Sequence, residues 1–133
     1  MNIFKKYKDN IYVKKAIIEK LDASVFFLEE FEEGQCREIY YGLKQKVNVL
    51  LYAKAFYTEQ KMRNLREGLL AKIDINLFND PNFEAGKMQA IKESIINNVY
   101  LPVFAKLNHD TITYACILLK EGIDKDFLSK FWN

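Results

Sequence analysis

A unit of 26 residues recurs along this chain, and it constrains the architecture more than any single residue does. Laid over the segment that begins at Phe83, the segment from Tyr57 aligns Tyr57, Met62, Leu65, Gly68, Leu69, Ile73 and Phe78 with Phe83, Met88, Ile91, Ser94, Ile95, Val99 and Phe104. One period upstream, Phe31, Cys36, Ile39, Gly42, Leu43, Val47 and Tyr52 occupy the same places. Val13, Ala16, Ile17, Leu21 and Phe26 form an earlier unit without its opening aromatic. Leu107, Ile112, Ala115, Leu119, Ile123 and Leu128 form a looser last one. The units run approximately over residues 5–30, 31–56, 57–82, 83–106 and 107–133, a single helical-repeat domain spanning 1–133 with atypical ends, as capping repeats should be.

Each column of the repeat predicts a piece of backbone. Met62, Leu65, Leu69 and Ile73 are spaced 3, 4 and 4, one stripe of an α-helix. Beside the stripe Ala16, Gly42, Gly68 and Ser94 are all small, which points to a neighbouring helix crossing closely there. Lys20, Lys46, Lys72, Asn98 and Gly122 mark the helix end: Gly and Asn accept the left-handed conformation, and lysine suits the negative end of the helix dipole. The apolar residue that follows each one (Leu21, Val47, Ile73, Val99, Ile123) supplies the hydrophobic contact of a Schellman motif. Asp22, Asn48, Asp74 and Asp124 then cap a second, short helix carrying Phe26, Tyr52, Phe78 and Phe104, with Tyr100 breaking the cap rule in the fourth unit. The expected fold is all-α, a short α-solenoid of five helix–elbow–short-helix repeats. A compact five-helix bundle descended from a repeat is the alternative.

These residues resemble a known pattern. Phe31-xxx-Gln35-Cys36-xx-Ile39-Tyr40-x-Gly42-Leu43, followed by Val47-Asn48-Val49 and Tyr52-Ala53, is similar to tandem helical repeats in uncharacterised proteins of gut Firmicutes and their mobile elements. Leu21-Asp22-Ala23-Ser24-Val25-Phe26 keeps the tail of that pattern, while Tyr40, Tyr100 and the last unit depart from it. The resemblance implies a repeat scaffold, often on a mobile element. It implies no reaction and carries no catalytic residues.

Composition narrows the function further. Twenty basic and eighteen acidic residues leave a net charge of +2, with Arg37, Arg63 and Arg66 the only arginines, too near balance to mark a nucleic-acid protein. Cys36 and Cys116 sit in apolar helical patterns and read as reduced core residues. His109 is the single histidine, so neither a metal site nor a catalytic triad has partners to draw on; no cofactor, metal or catalytic residue is expected. No apolar run is long enough to span a bilayer and the N-terminal stretch is no signal peptide, so no membrane partner and a cytoplasmic location are expected.

Two surfaces remain as candidates. The column Lys14, Tyr40, Arg66, Lys92, Cys116 is three-fifths basic and would form a broken basic ladder. Tyr40, Tyr41, Leu70, Ile96 and Ile117 lie off the main stripe; most are expected to pack between repeats, and any left exposed would anchor a protein partner. Phe127, Phe131 and Trp132 are expected to seal the last repeat. The sequence is therefore read as a non-enzymatic module that binds another protein through Tyr40, Tyr41, Lys14, Arg66 and Lys92. The resemblance to mobile-element proteins adds the expectation of an inhibitor of a host or defence protein, of anti-CRISPR type. A nucleic-acid binder using the basic ladder is the alternative.

Overall fold

The computed structural model describes residues 3–132, with the side chains of residues 5–132, and is all-α over them. Its helices are α1 (Ile3–Lys6), α2 (Ile11–Ile18), α3 (Glu33–Lys44), α4 (Glu59–Leu70), α5 (Ala85–Ile96), α6 (His109–Lys120) and α7 (Lys125–Ser129). Between them stand short 3-10 turns at Ala23–Phe27, Val49–Leu51, Ile75–Leu77 and Pro102–Lys106, and one more closes the chain at Lys130–Trp132. The short helix expected in each repeat is thus a tight 3-10 turn in the first four repeats, and a true α-helix only in the last.

The elbow is built as the sequence dictates. Lys20, Lys46, Lys72 and Asn98 have φ near +60° (61, 61, 59 and 58), and Gly122 has φ 98. After α2, α3, α5 and α6 the chain folds back on itself: Leu21 N–H donates to the Ala16 carbonyl at 2.9 Å, Val47 to Gly42 at 3.1 Å, Val99 to Ser94 at 2.8 Å and Ile123 to Leu118 at 3.1 Å. That is the six-to-one bond of the Schellman motif, which satisfies a carbonyl the helix end leaves open. The carboxylates and amide at Asp22, Asn48 and Asp74 then accept from the backbone N–H two residues on, and Asp124 accepts from that of Phe127. Leu101 stands at the equivalent start of Pro102–Lys106 with no side-chain cap; Pro102 sets the turn by its fixed φ instead.

The chain divides into two compact units, residues 1–70 and 71–133. In the first, α2 packs on α3 and α3 on α4, the arrangement of consecutive stacked repeats. Its core is the predicted stripe (Cys36, Ile39, Met62, Leu65) together with the turn aromatics Phe26 and Tyr52, all fully buried. The Tyr7 hydroxyl accepts from Phe31 N–H at 3.0 Å and donates to the Glu29 carbonyl at 3.2 Å, pinning the first return loop. Gln35 pins the next: its Nε2 donates to the carbonyls of Ala55 and Tyr57 at 3.1 and 2.6 Å, while its Oε1 receives Glu32 N–H at 2.8 Å. In the second unit α5 packs on α6 around Met88, Ile91, Phe104, Ile112 and Ala115, again with the turn aromatics Phe78 and Phe104 fully buried.

Two packing expectations are corrected. At Gly42 the crowding comes from the repeat's own turn, not from a crossing helix: an added Cβ would fall on the Tyr52 hydroxyl and lie 2.6 Å from Val49 Cγ1. At Gly42 the 3-10 turn folds its aromatic ring back beneath the helix, where only a residue without a side chain fits. At the C-terminus Phe127 and Phe131 are 57% and 66% exposed, so Leu128, buried, is the residue that closes the last repeat. Phe127 and Phe131 instead stack edge to face on each other, 5.5 Å apart.

Candidate functional site

The column read as a basic ladder is the seam between repeats. In the first unit Tyr40 Oη donates to Glu19 Oε2 at 2.6 Å, and one repeat later Arg66 Nη1 donates to Gln45 Oε1 at 2.9 Å. Both bonds reach back 21 residues, from the same position of one repeat to the same position of the repeat before it. Arg66 Nε and Arg63 Nε each donate to the carboxylate of Glu38 at 2.9 Å, and Arg37 Nε lies 3.9 Å from it. Arg63 and Arg66 thus share one carboxylate that is 1% exposed, while Arg37 Nη2 donates to Glu59 Oε2 at 2.6 Å. A buried carboxylate is costly unless paired and hydrogen-bonded, and here the seam supplies both.

This placement removes most of the expected ladder. Arg66 is 9% exposed and Lys92 4%, so neither offers its charge to a phosphate or an acidic partner. Tyr40 is buried at 5%. Of the predicted contact residues, only Lys14 and Tyr41 are exposed. The reason lies in stacking. Tyr40 and Arg66 face the helix before their own within the first unit and meet Glu19, Glu38 and Gln45 there, whereas Lys14 stands on α2, the first repeat helix of that unit. Leu70, Ile96 and Ile117, by contrast, expected mostly between repeats, are 47%, 45% and 49% exposed.

Around Tyr41 the first unit carries an aromatic patch. The Tyr12 ring lies 5.9 Å from Tyr40 and 6.3 Å from Tyr41, and Tyr40 and Tyr41 are 5.7 Å apart. The Arg66 guanidinium sits 5.5 Å from the Tyr41 ring centre, a cation–π contact that holds the ring from the side of α4. Beneath the patch, Lys44 Nζ pairs with Glu19 Oε1 at 3.1 Å. The hydrogen bond from Tyr40, with that from Lys44, holds the Glu19 carboxyl below its usual range; the same bond to Glu19 pushes the Tyr40 hydroxyl up. Tyr40 therefore stays a neutral donor, and Tyr41, 39% exposed, presents its ring on a fixed base.

In the second unit the seam is incompletely filled. Cys116 holds the position that Tyr40 and Arg66 hold in α3 and α4, and its side chain is too short to reach back to Asn97. A groove of about 290 Å3 opens there between α5 and α6, lined by Ala90, Glu93, Asn97, Thr113, Cys116 and Ile117 among others. Burial pushes the Cys116 thiol up, and pushes the Cys36 thiol up to about 12, so neither is poised as a thiolate nucleophile. His109 is exposed, with Nδ1 3.2 Å from Asp110 Oδ1. Among the described residues no group of three or more His, Cys, Asp or Glu side chains could hold a metal ion, and no helix is long and apolar enough to cross a membrane. Comparison with family models, curated proteins and solved structures finds no match to this chain.

Proposed function

We propose that this chain is a non-enzymatic module that binds another protein, and that the first unit binds it through the tyrosine patch centred on Tyr41. The observation that carries the reading is Tyr41 itself: an exposed aromatic ring clamped by Arg66, Tyr12 and Tyr40. A rigid tyrosine of this kind gives contact area at little cost in side-chain entropy, which is why such residues become binding hot spots. Lys14 on α2 adds an exposed charge in the same unit. Arg66 contributes from within, by holding Tyr41 in place. The resemblance to mobile-element repeats supports a host or defence protein in the cytoplasm as the partner, inhibited stoichiometrically in the manner of an anti-CRISPR protein. The nucleic-acid alternative loses its support with the burial of Arg66 and Lys92.

The test is affinity capture of partners from a bacterial cytosol, with a salt titration of the retained complex against a salt titration on duplex DNA. A protein held at high salt by the parent chain and released by Tyr41→Ala, a loss of about 2 kcal/mol or more, is the expected result. Tight, steeply salt-dependent DNA binding that Lys14→Ala weakens and Tyr41→Ala does not would overturn the reading.

A further inference from the structure

We propose that a second copy of this chain docks head to tail, with α2 of one copy seated on α6 of the other as the next repeat in the stack. In the first unit most side-chain contacts across the seams join a recurring set of positions, beside the pairs Arg37–Glu59 and Tyr12–Tyr41. The arriving helix contributes Arg63, Tyr40 or Arg66, and Lys44; the helix before it contributes Tyr12 or Glu38, Tyr41, and Glu19 or Gln45.

Both halves of this set recur, exposed, at the two ends of the repeat series. On α2 the arriving positions are Ile11, Lys14 and Ile18, with Ile11 46% and Ile18 78% exposed. On α6 the left-handed Gly122 fixes the register, as Lys46 does for α3. Tyr114 then stands where Glu38 stands before Lys46, Ile117 where Tyr41 stands, and Glu121 where Gln45 stands. Tyr114 is 61% and Ile117 49% exposed, and Glu121 is exposed as well.

The two sets are complementary under the rule that the internal seams obey. The seam bonds Tyr40 to Glu19 and Arg66 to Gln45 place Lys14 of one copy against Glu121 of the other, an ion pair. The contact of Arg66 with the residue in the Tyr41 position lays the lysine stem along Ile117, and the Tyr12–Tyr40 contact sets Lys14 over the Tyr114 ring. Ile11, equivalent to Arg63, covers the far side of the same ring. The two faces differ, so the contact is heterologous and each added copy presents a fresh α6 face.

The experiment is sedimentation velocity of the 133-residue chain from micromolar to millimolar concentration, at low and moderate salt. The expected result is a mass that rises with concentration. Lys14→Glu and Glu121→Lys should each weaken association about tenfold, and the double reversal in one chain should restore it. A copy carrying Ile18→Asp mixed with one carrying Tyr114→Asp should stop at pairs, because only one intact head and one intact tail remain. All four residues are exposed, and far-UV melts of the variants check that each is folded. A parent chain that stays monomeric at millimolar concentration overturns the proposal. So does a double reversal that associates no better than either single variant, or a Tyr114→Asp chain that still self-associates without a partner.

Discussion

Gly42→Ala offers the sharpest test of how the repeat is packed. In an exposed helix the change would stabilise by about 1 kcal/mol, because alanine is the better helix former. Here the added methyl would coincide with the Tyr52 hydroxyl, 2.6 Å from Val49 Cγ1 and 3.1 Å from Tyr52 Cζ. Tyr52 has no room to swing aside: it is 0% exposed, and its hydroxyl donates to the Glu38 carbonyl at 2.6 Å. Overpacking of this kind costs roughly 1–3 kcal/mol, and losing the buried hydrogen bond adds about 1. Net of helix propensity, Gly42→Ala should destabilise by roughly 1–3 kcal/mol. Tyr52→Phe alone should cost about 1 kcal/mol, through the carbonyl left without its donor. Combined, the two changes should not add, because phenylalanine lacks the atom that the methyl strikes. The double variant should lie within about 1 kcal/mol of Tyr52→Phe, with Val49 limiting the relief. Urea unfolding followed by far-UV circular dichroism measures all four corners of this cycle. Additivity within about 0.5 kcal/mol, or a Gly42→Ala chain more stable than the parent, would refute the packing described here.

Glu38→Gln should destabilise by about 2 kcal/mol or more, because Arg63 and Arg66 lose a shared buried counter-ion, and thermal melts against the parent will show it. Lys46→Gly should stabilise by about 1 kcal/mol, since a side chain at φ 61 is strained and glycine is not; a lower melting temperature would count against it. From neutral pH stability should be level up to about pH 9 and then fall as pH rises toward 12. Burial raises Cys36 from 9.0 and Tyr7 from 10.0, each to about 12, so the unfolded chain releases these protons first. Tyr7→Phe should flatten that fall in an alkaline titration of unfolding free energy, whatever it does to the level at neutral pH.

The backbone was more legible in the sequence than the surface was. Lys20, Lys46, Lys72, Asn98 and Gly122 could be placed in the left-handed region because a helix end has few solutions, and each leaves a local signature in the residues on either side. The aromatic of each turn was likewise legible, since Phe26, Tyr52, Phe78 and Phe104 recur in step with the caps. Local rules could not say what lay across the seam. The Lys14, Tyr40, Arg66, Lys92 column reads as a basic ladder because charge alone does not reveal a partner, and nothing local marks Glu38, between Arg37 and Ile39, as buried. A carboxylate embedded in an otherwise buried helix face, with arginines one repeat later, was the available signal. The small column misled for a similar reason: glycine records that something is close, not which element it belongs to.

The seams in the first unit are all different. Tyr40 meets Glu19, whereas Arg63 and Arg66 meet Glu38 and Gln45, so each junction carries its own lock and key. Excising residues 31–56 would bring Arg63 opposite Tyr12 in place of an acid, and leave Arg66 alone to find Glu19. Inserting a second copy of the same stretch would set Arg37 and Tyr40 against Glu38 in place of Arg63 and Arg66, so the buried carboxylate would exchange one of its two arginine donors for a phenol. Unequal exchange, which readily lengthens or shortens repeat arrays whose junctions are interchangeable, therefore meets a chemical penalty here. The number and order of units in this stretch are written into its junctions.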